Sequence, residues 1–340
     1  MKFGPVPLDE AEGKILGHNV AGPDGKRILR KGRALGPRDI EALRGLGRRT
    51  VYVAELDPGD IEENAAALRI AEAAVGPGLR LSGSSTGRVN LIATVLGLFR
   101  FPEERLRAVN ASEGVTVASL AKDTVVRPGQ TVATVKVIPY AVPASEVETG
   151  ERVARSDGPL FRVEALSPKR VGLVLSGSPS VRSQLTESFS PLLERVAALG
   201  SEVVEQAYVT LEDERGEEAL AETLLRQRRL PVDLILLAGE TAIMDRHDIT
   251  PRAVERAGGR IVSVGAPVDP GNLLMIAYID DVPVLGAPGC ARSRKGNVVD
   301  WVLPRLLAGD QISREDVIAF GAGGLLEDVP ERPLPRSRID

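Results

Sequence analysis

The feature that most constrains this chain lies in its second half, where short apolar runs ending in small residues alternate with amphipathic segments. VGLVLSG (171–177), VDLILLAG (232–239) and VPVLGAPG (282–289) carry no polar face. A strand with one side in water alternates apolar and polar residues, whereas an unbroken apolar run belongs to a strand covered on both sides. SEVVEQAYV (201–209) and RIVSVGAP (260–267) add further strands. Between them, residues 183–199 set Leu185, Phe189, Leu192, Leu193, Val196 and Leu199 at helical spacing. Residues 217–229, 250–259 and 298–309 read as three more helices. Strand and helix in alternation predict an α/β domain of three layers, α/β/α, around a mostly parallel sheet.

The first half has a different texture, and predicts a smaller mixed α+β domain. Residues 27–35 and 50–54 read as short strands, separated by a helix that opens at Pro37 and stops before Gly47. Residues 60–75 and 87–99 read as helices. VTVASL and TVATVKVI, within 114–138, read as strands joined through Arg127-Pro128-Gly129-Gln130. Pro at the second and Gly at the third position suit a type II turn. The polar stretch 148–170, with Pro159 and Pro168, has no periodicity and marks a boundary. The expected organisation is a domain at 1–160, a domain at 168–328 and a tail at 329–340.

Composition narrows the partners. Aromatic residues are only 3% of the 340-residue chain, so its cores are built from Val, Leu, Ile and Ala. A net charge of −4, with Arg scattered among acids, argues against a nucleic-acid surface. Cys290 is the only cysteine, which rules out an intrachain disulfide and a Cys-based zinc site. His18 and His247 are the only histidines. The first residues lack a hydrophobic signal core, and no run reaches membrane-span length. A cytoplasmic protein without membrane or nucleic-acid partners is expected.

Strand ends are where an open α/β sheet binds ligands. Four loops there are rich in Gly, Ser, Thr and Pro: Ser176-Gly177-Ser178-Pro179, Gly239-Glu240-Thr241-Ala242, Gly265 to Asn272, and Gly286 to Ser293. Glycine lets backbone N–H groups approach an anion, hydroxyls add donors, and proline fixes the loop in advance. Such loops suit a polar, phosphorylated, ring-shaped ligand. Taken singly, each is also an ordinary tight turn. No GxxxxGK[ST] and no GxGxxG after a strand competes with them.

These residues carry a resemblance. Strand-Gly239-Glu240-Thr241-Ala242 followed by Asp245 to Pro251 looks like the Gly-rich loop and helix-opening Asp of the molybdopterin-binding domain of molybdopterin adenylyltransferases and molybdotransferases. VPVLGAPGCARS looks like that family's Leu-Pro-Gly-Asn-Pro loop. GAPVDPGNLLM, DWVLPRLLAG and GAGGLLED resemble a subgroup joined to, or encoded near, a nucleotidyltransferase-like module serving molybdenum hydroxylases. The resemblance covers about residues 168–328. It implies a ligand, molybdopterin or the molybdenum cofactor, and a role in its biosynthesis or delivery. It implies as partners a nucleotidyltransferase and a molybdenum hydroxylase, with a homo-oligomer as the expected assembly.

The chain departs from the family in three places. Glu240 stands where the catalytic members have a second Gly, the path to Asp248 is one residue longer, and Cys290-Ala291 replaces Asn-Pro. A carboxylate beside a phosphate opposes nucleotide binding unless a metal intervenes. A transferase, adenylylating molybdopterin or inserting molybdate, is therefore the second reading. A ligand-free regulatory or structural α/β protein is the third.

The candidate ligand-binding residues are Ser176, Gly177, Gly239, Glu240, Thr241, Asp269, Pro288, Gly289, Cys290, Arg292 and Ser293. Asp245 and Asp248 are candidate Mg²⁺ ligands between phosphates, and Asp248 is equally a helix N-cap. Arg292 and Arg294 can pair a phosphate bidentately or sit in solvent. Asp269 serves a ligand or an Asx-turn. Cys290 is a ligand contact or simple packing. His247 has no paired nucleophile, so no catalytic residue is assigned. Ser84 to Asn90 is read as a polar helix start able to cap itself or receive an anion.

Overall fold

A computed structural model describes residues 1–211 and 215–326. The expected tail at 329–340, and the last two residues of GAGGLLED, lie outside them. The chain divides into two compact units, Met1–Glu164 and Ala165–Asp340. Among the described residues no helix is long and apolar enough to cross a membrane.

The second unit is built on a six-stranded sheet. Its spatial order is Glu202–Thr210, Arg170–Gly177, Leu234–Gly239, Val282–Gly286, Met275–Ile279, Arg260–Val264. The first four are mutually parallel. Met275–Ile279 runs against both neighbours. The continuous apolar runs occupy the middle of the sheet, where every strand is covered on both sides. Val174, Ile235, Leu237 and Val284 pack with Leu220, Leu224, Ala253 and Val254 from helices Gly216–Arg229 and Ile249–Arg256. Their neighbours in sequence, Leu173, Leu175, Leu234 and Leu236, alternate to the opposite face and are equally buried. Helices Arg182–Ser188, Ser190–Ala198 and Val299–Ala308 bury Leu185, Leu192, Val196, Val302 and Leu303. Each such side chain contributes roughly 1.5–3 kcal/mol when fully buried. This is the three-layer, mostly parallel α/β arrangement that the alternation of strand and helix implies.

Two details differ from the sequence reading. The helix expected over 183–199 is broken at Phe189, just before Pro191, into two short helices. Met275–Ile279 forms a strand that pairs with Val282–Gly286 across a tight turn at Asp280-Asp281.

The first unit is mixed α+β. One part packs helix Pro37–Gly45 on a three-stranded antiparallel sheet, around Leu16, Leu35, Leu43 and Val53. The other part lays helix Glu63–Ala74 on a four-stranded antiparallel sheet. Ala66, Ala67, Ala71, Ala73 and Ala74 keep that helix close, beside a cluster of Phe99, Phe101 and Phe161.

Residues 87–99 are not a helix. They form strands Arg88–Ala93 and Gly97–Arg100. Val89, Leu91 and Ala93 are buried in alternation, so the operative period is two rather than 3.6. Residues 144–155 form a helix that runs into the stretch read as an aperiodic boundary. Only Val147 and Ala154 of that helix are buried, too few to show a periodic stripe.

Candidate functional site

In the second unit the chain leaves strand Arg170–Gly177 toward one sheet edge, to Glu202–Thr210, and later builds toward the other from Leu234–Gly239. The strand order therefore reverses between two neighbouring parallel strands, and their carboxyl ends part to leave a crevice. Ser176 and Gly239 are direct partners at its base. The cleft measures about 490 Å³ and is lined by the loops 176–178 and 239–244, residues 248–250, and an apolar floor that includes Leu211, Leu220 and Leu237.

Glu240 reaches across this crevice. One carboxylate oxygen accepts the Ser178 backbone N–H at 2.8 Å and the Ser178 hydroxyl at 3.0 Å. The Glu240 N–H donates to the Ser176 carbonyl at 2.8 Å. Gly177 allows this approach: a Cβ there would lie 2.8 Å from Glu240 Cβ. The Tyr208 hydroxyl fixes the same loop by donating to the Ser178 carbonyl at 2.5 Å. The donors that a phosphate would use on this side of the cleft are thus occupied by a carboxylate of the chain itself.

The opposite side is different. Asp248 stands at the N-cap position of helix Ile249–Arg256 without capping it. Its carboxylate turns back to accept the N–H groups of Met244 at 2.6 Å and Asp245 at 3.0 Å. Ile249 and Thr250, the first residues of the helix, line the cleft, and the helix start has no side-chain cap. Asp245 in turn accepts the His247 N–H at 2.8 Å. The proposed Mg²⁺ pair therefore shapes the loop, and the described residues hold no group of three or more His, Cys, Asp or Glu side chains able to bind a metal.

The other candidates do not line the cleft. Arg292 lies over the Phe189 ring, 4.8 Å from its centre, and donates to the carbonyls of Gly239 at 2.7 Å and Glu240 at 3.3 Å. It ties the 288–293 loop to the Glu240 loop. Arg294 pairs with Glu194, and Ser293 accepts the Lys295 N–H on its hydroxyl at 3.1 Å. Cys290 is half-buried, and burial pushes its thiol pKa up, away from the reactive thiolate. Pro288 is buried and Gly289 exposed at the tip of the same loop. Asp269 exchanges backbone hydrogen bonds with Gly324 and Leu326 in a third loop.

Ser178, Ile249 and Thr250 have a place in candidate segments of the sequence but no role of their own there, and Tyr208 is not singled out. Ser178 had a signal, being the hydroxyl residue that follows the strand-end glycine. The other three had none, since their relevance depends on what the chain folds against them.

Comparisons with known proteins add the following. A family described as a domain of unknown function (DUF8806) matches residues 5–55. No curated protein matches in sequence. A molybdenum cofactor biosynthesis protein from Pyrococcus furiosus is 14% identical, with 91% of this chain and 64% of that one covered at a TM-score of 0.25. This chain thus spans less than two thirds of that protein. The molybdopterin biosynthesis MoeA protein from Pyrococcus horikoshii OT3 is 12% identical, covering 94% and 75%, at a TM-score of 0.26. Molybdenum cofactor biosynthesis protein B is 18% identical, covering 42% of this chain and 96% of that one, at a TM-score of 0.31. Likenesses at this level assign no activity.

Proposed function

We propose that this protein binds the phosphorylated pterin of the molybdenum cofactor in the cleft where the strand order reverses, and serves its biosynthesis or delivery. The observation that carries the reading is the start of helix Ile249–Arg256, which has no side-chain cap and whose first residues line a small-residue cleft with an apolar floor. Free amides at a helix start favour an anion, and the apolar floor favours a flat ring. The family resemblance of the strand-end loops names the ligand.

The geometry favours binding over transfer. Glu240 already satisfies the Ser178 donors, which leaves anion-binding capacity at the helix start and less room for the additional phosphates of a nucleotide. Any Mg²⁺ would depend on the ligand's phosphate together with one or two carboxylates such as Asp248.

Purification followed by mass spectrometry and fluorescence of released pterin tests the reading. A bound pterin supports it, and failure to bind added pterin removes it. ATP consumption in the presence of added molybdopterin would instead establish the transferase.

A further inference from the structure

Within the segment Ser84 to Asn90, residues Ser85, Thr86 and Arg88 line a cleft of the first unit. Ser85 and Arg88 exchange backbone hydrogen bonds at 3.1 Å around Thr86 and Gly87, whose φ values are +52° and +65°. This is a two-residue hairpin turn of the primed kind, not a helix start. A β-branched residue at positive φ is an outlier, and such strain persists where surroundings over-determine it, often beside ligands. Here Asn64 accepts the Gly87 N–H at 2.9 Å, Val137 donates to the Gly87 carbonyl at 2.9 Å, and the Lys136 ammonium donates to the Thr86 carbonyl at 2.6 Å.

The turn forms one wall of an open cleft of about 1090 Å³. Arg30 and Lys31 also line it, as do Phe3, His18 and Tyr140. The Tyr140 hydroxyl donates to the Gly17 carbonyl at 2.8 Å. Cations outnumber carboxylates around the cleft, and both of its carboxylates are engaged. Glu62 accepts the N–H groups of Asn64 and Ala65, and Glu63 pairs with Lys136. Arg33 pairs with Asp39. The side chains of Arg30, Lys31 and Arg88 have no acidic partner among the described residues. Unpaired cations around a concavity attract anions, and guanidinium groups fit phosphate oxygens in pairs. Beside them Phe3 is 48% exposed and meets His18 edge-on, with ring centres 5.5 Å apart.

We infer that this cleft is a second ligand site, independent of the strand-end cleft, and takes a nucleoside polyphosphate. Arg30, Lys31 and Arg88 hold the phosphates, and Phe3 with His18 supplies a face for the base. The size of the cleft suits such a ligand, and the aromatic pair distinguishes it from an inorganic anion.

Calorimetric titration of the full chain with ATP, with inorganic triphosphate and with an oligoglutamate peptide tests this. ATP is expected to bind at one site per chain, severalfold more tightly than triphosphate. Arg30→Gln with Arg88→Gln is expected to weaken ATP by at least about tenfold. Both side chains are exposed, and melting curves are to check that the double variant folds. Should it not, Phe3→Ala carries the test, and it is expected to bring ATP down to the affinity of triphosphate. Absence of ATP binding, equal affinity in the substituted proteins, or binding of the peptide alone overturns the proposal. So does loss of ATP binding when the strand-end cleft is blocked by Thr241→Glu.

Discussion

Glu240 gives the most revealing perturbation. Its carboxylate holds the two donors of Ser178, and its negative charge faces the cleft assigned to a phosphate. Two unit charges about 6 Å apart repel by about 0.7 kcal/mol at the dielectric of water and about 2.8 kcal/mol at an effective dielectric near 20. Glu240 is exposed, so the lower part of that range applies, about 1–1.5 kcal/mol, or roughly tenfold in affinity. Glu240→Gln removes the charge while keeping an acceptor for Ser178. Glu240→Gly also frees the Ser178 N–H and hydroxyl for the ligand. Binding of a phosphorylated pterin is expected to tighten in the order Glu, Gln, Gly, by roughly tenfold in the first step. Losing the tie between the two loops costs Glu240→Gly about 1 kcal/mol of stability. Fluorescence titration reads the affinities and urea unfolding reads the stability. Weaker binding in both variants would refute the reasoning, because the carboxylate would then be contacting the pterin ring rather than repelling its phosphate. Robust ATP-dependent adenylyl transfer by the unaltered protein would refute it equally.

Three further predictions follow from particular residues. Gly289→Asp is expected to weaken pterin binding by about threefold to tenfold through repulsion, with little change in melting temperature, because a Cβ at Gly289 meets nothing within 4 Å; unchanged affinity would remove the 288–293 loop from the site. Burial alone would raise the pKa of Asp316, but hydrogen bonds from Ser313 and Arg305 outweigh it and hold the group at about 2, below its ordinary 3.8. Its contribution is therefore present above pH ~3.8 and lost as pH falls through ~2, at about 1–2 kcal/mol after allowance for screening. The difference in unfolding free energy between the native chain and Asp316→Asn should shrink over that window, and a difference independent of pH would contradict the assignment. Gln227 is fully buried on helix Gly216–Arg229, and its amide has no hydrogen-bond partner among the described residues. Gln227→Met is expected to stabilise the protein by about 1 kcal/mol in urea unfolding, and a clear loss of stability would count against that view.

The layer arrangement of the second unit was legible because its central strands are apolar on both faces, which leaves a continuous run in the sequence. Met275–Ile279 was missed despite being apolar, since its place as a strand rests on antiparallel pairing with Arg260–Val264 and Val282–Gly286. In the first unit, Val89 and Leu91 fit strand spacing, but the apolar residues that follow them also fit a helix. Only pairing with Thr131–Val137 decides between the two. For the site, the small residues at the strand ends were visible, and Ser176, Gly177, Gly239, Glu240 and Thr241 do line one cleft. What each charged group does was not visible. Arg292 turns to carbonyl oxygens, and Asp248 turns to its own loop rather than to the helix that follows it. Those choices depend on which backbone groups the fold leaves unpaired nearby, and no local pattern encodes them.

The proposed occupant of the cleft between Gly177 and Thr241 is a phosphorylated pterin. The most direct measurement is an equilibrium fluorescence titration of a phosphorylated pterin into the full chain and into Thr241→Glu. Thr241 is exposed on the cleft wall, so the substitution adds a carboxylate to the site without disturbing a core. Saturable binding at one site per chain is expected, weakened at least about tenfold by the substitution. Absence of saturable binding, or the same affinity in both proteins, would contradict it.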